Sequence, residues 1–310
     1  MSKGNVLVTG GAGFLGSWLC DFLVREGFRV TCVDNLSSGD RKNLEHLDVE
    51  FIKHDARKPF NLGIKVDYIF HLASRASPAD FQKYPVDILL TNSLGTYNVL
   101  KFAEQNNARF VLTSTSEVYG NPLQYPQNED YWGNVNPIGP RSCYDESKRF
   151  SEALAMAFYR ESGLDIRVGR IFNTYGERMR KDDGRVTPNL INQALRNEPI
   201  TVYGDGSQTR SFCYVSDMVD GLTRLMFLES LRGEVINLGS PNEISILELA
   251  ELIKGLVNTN SEIIFKPLPP DDPTRRKPDI AKAKQKLDWE PVISLEEGLA
   301  RTIGFFRASQ

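Results

Sequence analysis

Gly10, Gly13 and Gly16 stand between an apolar run, Val6-Leu7-Val8, and an amphipathic stretch from Ser17 to Glu26. Few patterns limit a fold as tightly. A strand that ends in such a turn and opens straight into a helix lets the backbone reverse sharply and approach a phosphate, whose charge then sits at the positive end of the helix. The next apolar run, Arg29-Val30-Thr31-Cys32-Val33, ends in Asp34. An acid about 20 residues beyond the motif can accept the ribose hydroxyls of a dinucleotide, and its charge repels the extra phosphate of NADP. A glycine turn alone only connects a strand to a helix; with the acid it points to NAD.

The alternation continues. Residues 49–52 and 66–70 read as short strands, and 85–105 as a helix whose Leu89, Leu90, Leu94, Tyr97, Val99, Leu100 and Phe102 form a broad apolar face. A strand at 109–112, a helix at 144–162 closed by Gly163, and a strand at 165–168 follow. This rhythm predicts an α/β fold with a parallel, doubly wound (Rossmann) sheet, which binds ligands beyond the carboxyl ends of its strands. Those ends are Thr9, Asp34, His54-Asp55, His71 to Ser74, Thr113 to Glu117 and Arg170 to Asn173. Past Asn173 the rhythm breaks into loops at 182–185, 204–206 and 266–278. A helix at 215–228 and a strand at 234–238 still look like sheet elements. The expected division is an NAD-binding domain of 1–173 and 211–242 and a smaller, discontinuous C-terminal substrate domain of 174–210 and 243–310.

With 37 basic and 40 acidic residues the net charge is −3, so nucleic acid or a membrane surface has no general attraction for this chain. Anion binding must come from locally placed arginine and lysine. Cys20, Cys32, Cys143 and Cys213 are scattered without a CxxC, as expected of free thiols in a reducing cytosol. No apolar run approaches a membrane span, and a cytoplasmic protein is expected. His46, His54 and His71 form no ligand cluster, so no metal is expected.

Tyr144 and Lys148 are four residues apart, on one face of the helix at 144–162. A phenol is a poor base at neutral pH, but an ammonium beside it favours the phenolate. The pair can then take a proton from a hydroxyl. Thr113 to Glu117, at the end of the preceding strand, brings hydroxyls and a carboxylate to the same place.

Taken with 71–74, 114–120, 129–133, 136–148, 170–176, 183–186, 203–217 and 276–279, these motifs are similar nearly end to end to the extended short-chain dehydrogenases/reductases, and within them to the UDP-glucuronate decarboxylases (UDP-xylose synthases). The glycine and Tyr-Lys motifs belong to the whole superfamily. Thr115-Ser116-Glu117 and Arg276-Lys277-Pro278 separate its branches, because 4,6-dehydratases carry Asp-Glu where this chain has Ser116-Glu117 and 4-epimerases lack that glutamate. The resemblance implies that Tyr144 deprotonates the C4 hydroxyl of UDP-glucuronate while NAD takes the hydride, with Lys148 beside it and Thr115 orienting the oxygen. The resulting 4-keto acid loses CO2, Glu117, Ser116 and Arg276 are the candidates for holding the carboxylate or protonating C5, and reduction then yields UDP-xylose.

The cofactor would lie on Gly10, Gly13, Phe14, Leu15, Gly16, Asp34, Asn35, Ser37, Ser38, Asp55, Ala56, Leu72, Ser74, Thr91, Tyr144 and Lys148. The UDP-sugar would lie on Asn173, Arg185, Tyr203, Gln208, Arg210 and Arg276, with Tyr203 near the uracil. A homodimer packed through the helices at 85–105 and 144–162 is implied by analogy, although their apolar faces would also suit the sheet. The alternatives are a 4-epimerase, a 4,6-dehydratase or a decarboxylase that releases the 4-keto pentose. Two departures stand out: Arg75 where these decarboxylases usually have proline, and Leu90 where they usually have lysine. Either Arg75 takes over the lysine's role towards the uronate carboxylate and joins the substrate site, or it points to solvent.

Overall fold

The computed structural model describes residues 2–268 and 275–309. The apolar runs form strands β1 (Asn5–Thr9), β2 (Arg29–Asp34), β3 (Glu50–Lys53), β4 (Tyr68–His71), β5 (Arg109–Thr115) and β6 (Ile166–Ile171). With the strand Val235–Leu238 they make a seven-stranded sheet in the order 235–238, β6, β5, β4, β1, β2, β3. Every pairing in it is parallel. The chain winds outward in both directions from β1, so a crevice opens between the carboxyl ends of β1 and β4, where such sheets bind ligands.

Both faces of the sheet are covered. Helix α1 (Phe14–Arg25) packs Leu19 and Leu23 against Val6, Val8 and Cys32 on one side. On the other, Leu7, Val33 and Ile69 meet Val99, Leu100 and Ala103. Burial on both faces is why these strands read as continuous apolar runs rather than alternating ones.

Several boundaries differ from the sequence reading, three of them near the site. β5 runs three residues past 112, because Thr113, Ser114 and Thr115 keep pairing with Gly169, Arg170 and Ile171. That extension carries the polar end of the strand up to the site. The single helix expected over 85–105 is three pieces: α3 (Pro85–Leu90), after the short α2 (Pro78–Lys83), then a wide π-helical turn (Thr91–Gly95) and α4 (Thr96–Asn106). The hydroxyls of Thr96 and Ser151 both donate to the Asn92 carbonyl at 2.6 Å, and side-chain bonds of this kind compete with the regular helical ladder. The expected helix at 144–162 is α5 (Ser142–Ser162), ended as expected by Gly163 at φ +69°.

Beyond Asn173 the strands are short. Thr209–Ser211 lies between Glu243–Ser245 and Arg275–Arg276, and Ile200–Tyr203 pairs with Ile263–Lys266. Helices α6 (Val186–Leu195), Ile246–Val257 and Leu295–Ala308 close a core around Ile191, Leu249 and Phe306.

The glycine turn leaves no room for side chains. A Cβ on Gly16 would lie 2.2 Å from the Gly10 carbonyl oxygen, and one on Gly10, at φ +73°, 2.8 Å from the Ala73 amide nitrogen. Gly16→Ala is therefore expected to push α1 off the turn and to cost on the order of 1–3 kcal/mol, as measured by urea unfolding without ligand.

Candidate active site

All the catalytic, cofactor and substrate residues expected from sequence, Arg75 included, line one cavity of about 960 Å³ above the carboxyl ends of the strands. Its cofactor half is built from backbone. Helix α1 starts at Gly13 with no side-chain cap and no acidic residue in its first turn, so its leading N–H groups and positive end face the cavity unshielded. An anion such as a dinucleotide diphosphate fits there. Asp34 closes the opposite side, accepting from the Ala12 and Leu36 amides at 3.1 and 2.7 Å. Burial pushes its pKa up, and the two amides oppose that. Asp55, held down to about 2 chiefly by its bonds from Arg57, adds a firmly ionised carboxylate at the rim. Gly10, Phe14, Leu15, Asn35, Ser37, Ser38, Ala56, Leu72, Ser74 and Thr91 complete this wall. The groove has the shape and donors that NAD requires.

The reacting half meets at the end of β5 and the start of α5. Tyr144 is buried and stacked on Phe81 with ring centres 5.0 Å apart, in the same cavity as Thr115. Lys148 Nζ donates to the Thr113 carbonyl at 3.0 Å and lies 5.9 Å from the centre of the Tyr144 ring. Here the expectation of a lysine-lowered phenol is corrected. Burial pushes the Tyr144 phenol well up, with Thr115 pulling the other way, and the ammonium is engaged by a backbone carbonyl instead. Burial also pulls Lys148 down to about 8.

Glu117 is the other centre. Burial would raise its pKa, but the guanidiniums of Arg276 and Arg141 outweigh it and hold the carboxyl at about 2. Arg276 grips both carboxylate oxygens, and Arg141 Nη2 donates to Oε2 at 2.6 Å. Ser116 is buried beside them.

Arg141 was not picked out from the sequence, although it lies three residues before Tyr144 and so one helical turn away. Asp145, 3.9 Å from Arg141 and raised to about 7, first by burial and then by Glu117, was also missed. Gln127 gave no sequence signal at all. It is fully buried, and its side chain accepts from the Lys277 amide at 2.9 Å while its backbone bonds Lys277 and Asp279. It thereby fixes the strand that carries Arg276.

The remaining wall holds Asn173, Arg185, Tyr203, Gln208 and Arg210. Asn173 donates to the Ser211 carbonyl, Arg185 pairs with Asp183, and Gln208 donates to the Tyr203 carbonyl. Arg75 is 15% exposed and bonded to Asp80 and the Ser37 carbonyl, so it does not point to solvent. Leu90 is half-exposed on α3 and outside the cavity wall. The four cysteines are free and buried. His71 is a buried packing residue between Thr9 and Thr96, held neutral by burial at about 3. Among the described residues no His, Cys, Asp and Glu cluster could hold a metal, and no helix is long and apolar enough to cross a membrane.

The glycine turn, Asp34 and the Tyr-Lys pair in one crevice are the parts of a nicotinamide-dependent sugar-nucleotide enzyme, and the chain belongs to the NAD dependent epimerase/dehydratase family, whose model matches residues 6–239. More particularly, it is 54% identical over 307 residues to UDP-glucuronic acid decarboxylase 1 of Arabidopsis thaliana, covering 98% of this chain and 70% of that protein. It is likewise 54% identical to UDP-glucuronic acid decarboxylase 1 of Danio rerio, over 97% of this chain and 72% of the other. Among solved structures, UDP-glucuronic acid 4-epimerase from Bacillus cereus, in complex with UDP-glucuronic acid and NAD, superposes with a TM-score of 0.89 at 28% identity, covering 99% and 100% of the two chains.

The lowered Lys148 pKa has a measurable consequence. Between about 8 and the ordinary lysine value the unfolded chain binds more protons than the folded one, so this group makes stability rise with pH across that window and lowers it below. Lys148→Met is expected to raise ligand-free stability at pH 7 by about 1–3 kcal/mol, less the lost bond to Thr113, with the gain fading above pH 10. Urea unfolding at the two pH values checks this.

Proposed function

We propose that the protein is an NAD-dependent UDP-glucuronate decarboxylase that forms UDP-xylose. The observation that carries this reading is the carboxylate of Glu117 held between Arg276 and Arg141 in the same cavity as Tyr144 and Thr115. An alcohol-oxidising pair alone would serve an epimerase equally well. An arginine pair that already grips a carboxylate supplies what a uronic acid needs in addition.

Bound in the groove, NAD supplies the acceptor for the C4 hydride, a positive charge that favours the Tyr144 phenolate, and later the hydride that restores C4. Tyr144 takes the C4 hydroxyl proton, and the Thr115 hydroxyl, in the same cavity, orients the substrate oxygen by accepting or donating a hydrogen bond. Oxidation at C4 makes the sugar a β-keto acid. The bond between C5 and the carboxylate then breaks, CO2 leaves, and its electron pair moves into the ketone as an enolate. A proton added at C5 and the proton returned by Tyr144 to O4 complete the cycle, with no net oxidation.

Glu117 is fully ionised at neutral pH and clamped by two cations, so it acts as a fixed negative partner that aims Arg276 and Arg141 at the substrate. The UDP moiety lies along Asn173, Arg210 and Tyr203, where a guanidinium can grip phosphate oxygens.

The division into 1–173 with 211–242 for NAD and 174–210 with 243–310 for the sugar nucleotide is part of the same proposal. So is a cytoplasmic homodimer. The four buried free cysteines favour a reducing compartment. Exposed Val86, Leu89, Leu94 and Tyr97, with Phe150 on α5, favour pairing through these helices.

Incubation with UDP-glucuronate and NAD, followed by NMR, is expected to show CO2 release and UDP-xylose. A 4-keto pentose or inversion at C4 without CO2 would replace this reading with one of its neighbours. Tyr144→Phe is expected to lower kcat by about 10²–10⁴. Gln127→Ala, which loosens the strand bearing Arg276, is expected to slow CO2 release while the purified protein still binds NAD.

A further inference from the structure

Two loops face each other across the cavity: the one after β2, with Asp34 and Ser37, and the one at 178–185 on the sugar-nucleotide side. Arg75 stands between them. Its Nη2 donates to the Ser37 backbone carbonyl at 2.6 Å, its Nη1 donates to Asp80 at 3.2 Å, and its guanidinium lies 4.1 Å from the centre of the Tyr84 ring. Asp80 is buried and is 3.7 Å from Arg180, while Ser77 donates to the Asp183 carbonyl. The segment 75–84 is therefore fastened to both walls, and Arg75 is the only one of these side chains whose bond reaches the Ser37 loop.

We propose that Arg75 is a retention latch for the dinucleotide: by tying the Ser37 loop to segment 75–84, it keeps NAD on the protein from one turnover to the next.

The geometry supports a latch over a sugar contact. The guanidinium reaches the cofactor side through a charge-assisted bond to the Ser37 carbonyl, while Asp80 and the Tyr84 ring steady it from its own segment, and each of these contacts strengthens as water is excluded. The bond to position 37 uses main chain, so it does not depend on the side chain there. The Ser37 loop lines the groove next to Asp34, and the Arg75 bond ties that loop to segment 75–84 across it. A fastening of this kind acts on the dissociation rate. Retention is useful because, on the proposed redox-neutral cycle, hydride removal and return use the same cofactor molecule and no step requires its release.

The test follows NAD rather than product. Protein loaded with NAD is gel-filtered, and the NAD remaining bound is measured over time by chromatography after denaturation. Arg75→Ala is expected to release NAD about tenfold faster, and Tyr84→Leu, which removes only the stacked ring, about threefold faster. Near-UV circular dichroism establishes that each variant is folded; should Arg75→Ala fail to fold, Tyr84→Leu decides by the same criterion. Unchanged NAD release in the folded variants overturns the latch. A raised KM for UDP-glucuronate with unchanged NAD release also overturns it, and assigns Arg75 to the sugar's carboxylate. Because NAD release is read without substrate, failure of the decarboxylase reading leaves this result separately interpretable.

Discussion

The structure depends on a contact between bare backbones. Where β1 turns into α1, the turn presses on the end of β4 at Leu72 and Ala73 and on its own helix at Gly16, at distances that only hydrogen on Cα allows. That closeness brings the start of α1 over the crevice and leaves its first N–H groups for a ligand instead of a capping side chain. It also fixes how far β4 stands from β1, and thus where β5 can deliver Thr115 and Glu117. Everything chemical in the protein is placed relative to that junction.

The second arrangement of note works against stability. Glu117, Arg141, Arg276 and Asp145 bring four ionisable groups into a buried space, where removing charge from water is costly and pairing only partly offsets it. Lys148 and Tyr144 add to the burden, each shifted by burial towards its uncharged form. A well-packed apolar cluster of the same volume would hold the fold at least as well. Buried clusters of shifted ionisable groups of this kind mark functional sites more often than structural ones.

Much of this was legible in the chain. The glycine turn and Asp34 marked one wall of the cavity because their spacing reflects backbone geometry, which a sequence states directly. Tyr144 and Lys148 were legible as one helix face. Other features were hidden for physical reasons. The π-helical turn at Thr91–Gly95 depends on hydroxyls from two helices converging on one carbonyl, and no local pattern encodes that. Gln127 acts through bonds to residues about 150 positions away, and in sequence it is an ordinary loop glutamine. The phenol's environment went against the expectation because the lysine's nearest acceptor is a carbonyl of β5, which only the extension of that strand to Thr115 reveals.

Arg276 reaches Glu117 across 159 residues, and this separation imposes an order of assembly. Closing so large a loop costs entropy that contacts made within the sheet do not carry. The groove for the dinucleotide and the Tyr144–Thr115 corner are complete before the chain has supplied residue 240. The arginine that holds Glu117 arrives from the last seventh of the polypeptide. A nascent chain thus holds the Tyr144–Thr115 corner before it holds the arginine that completes the Glu117 clamp.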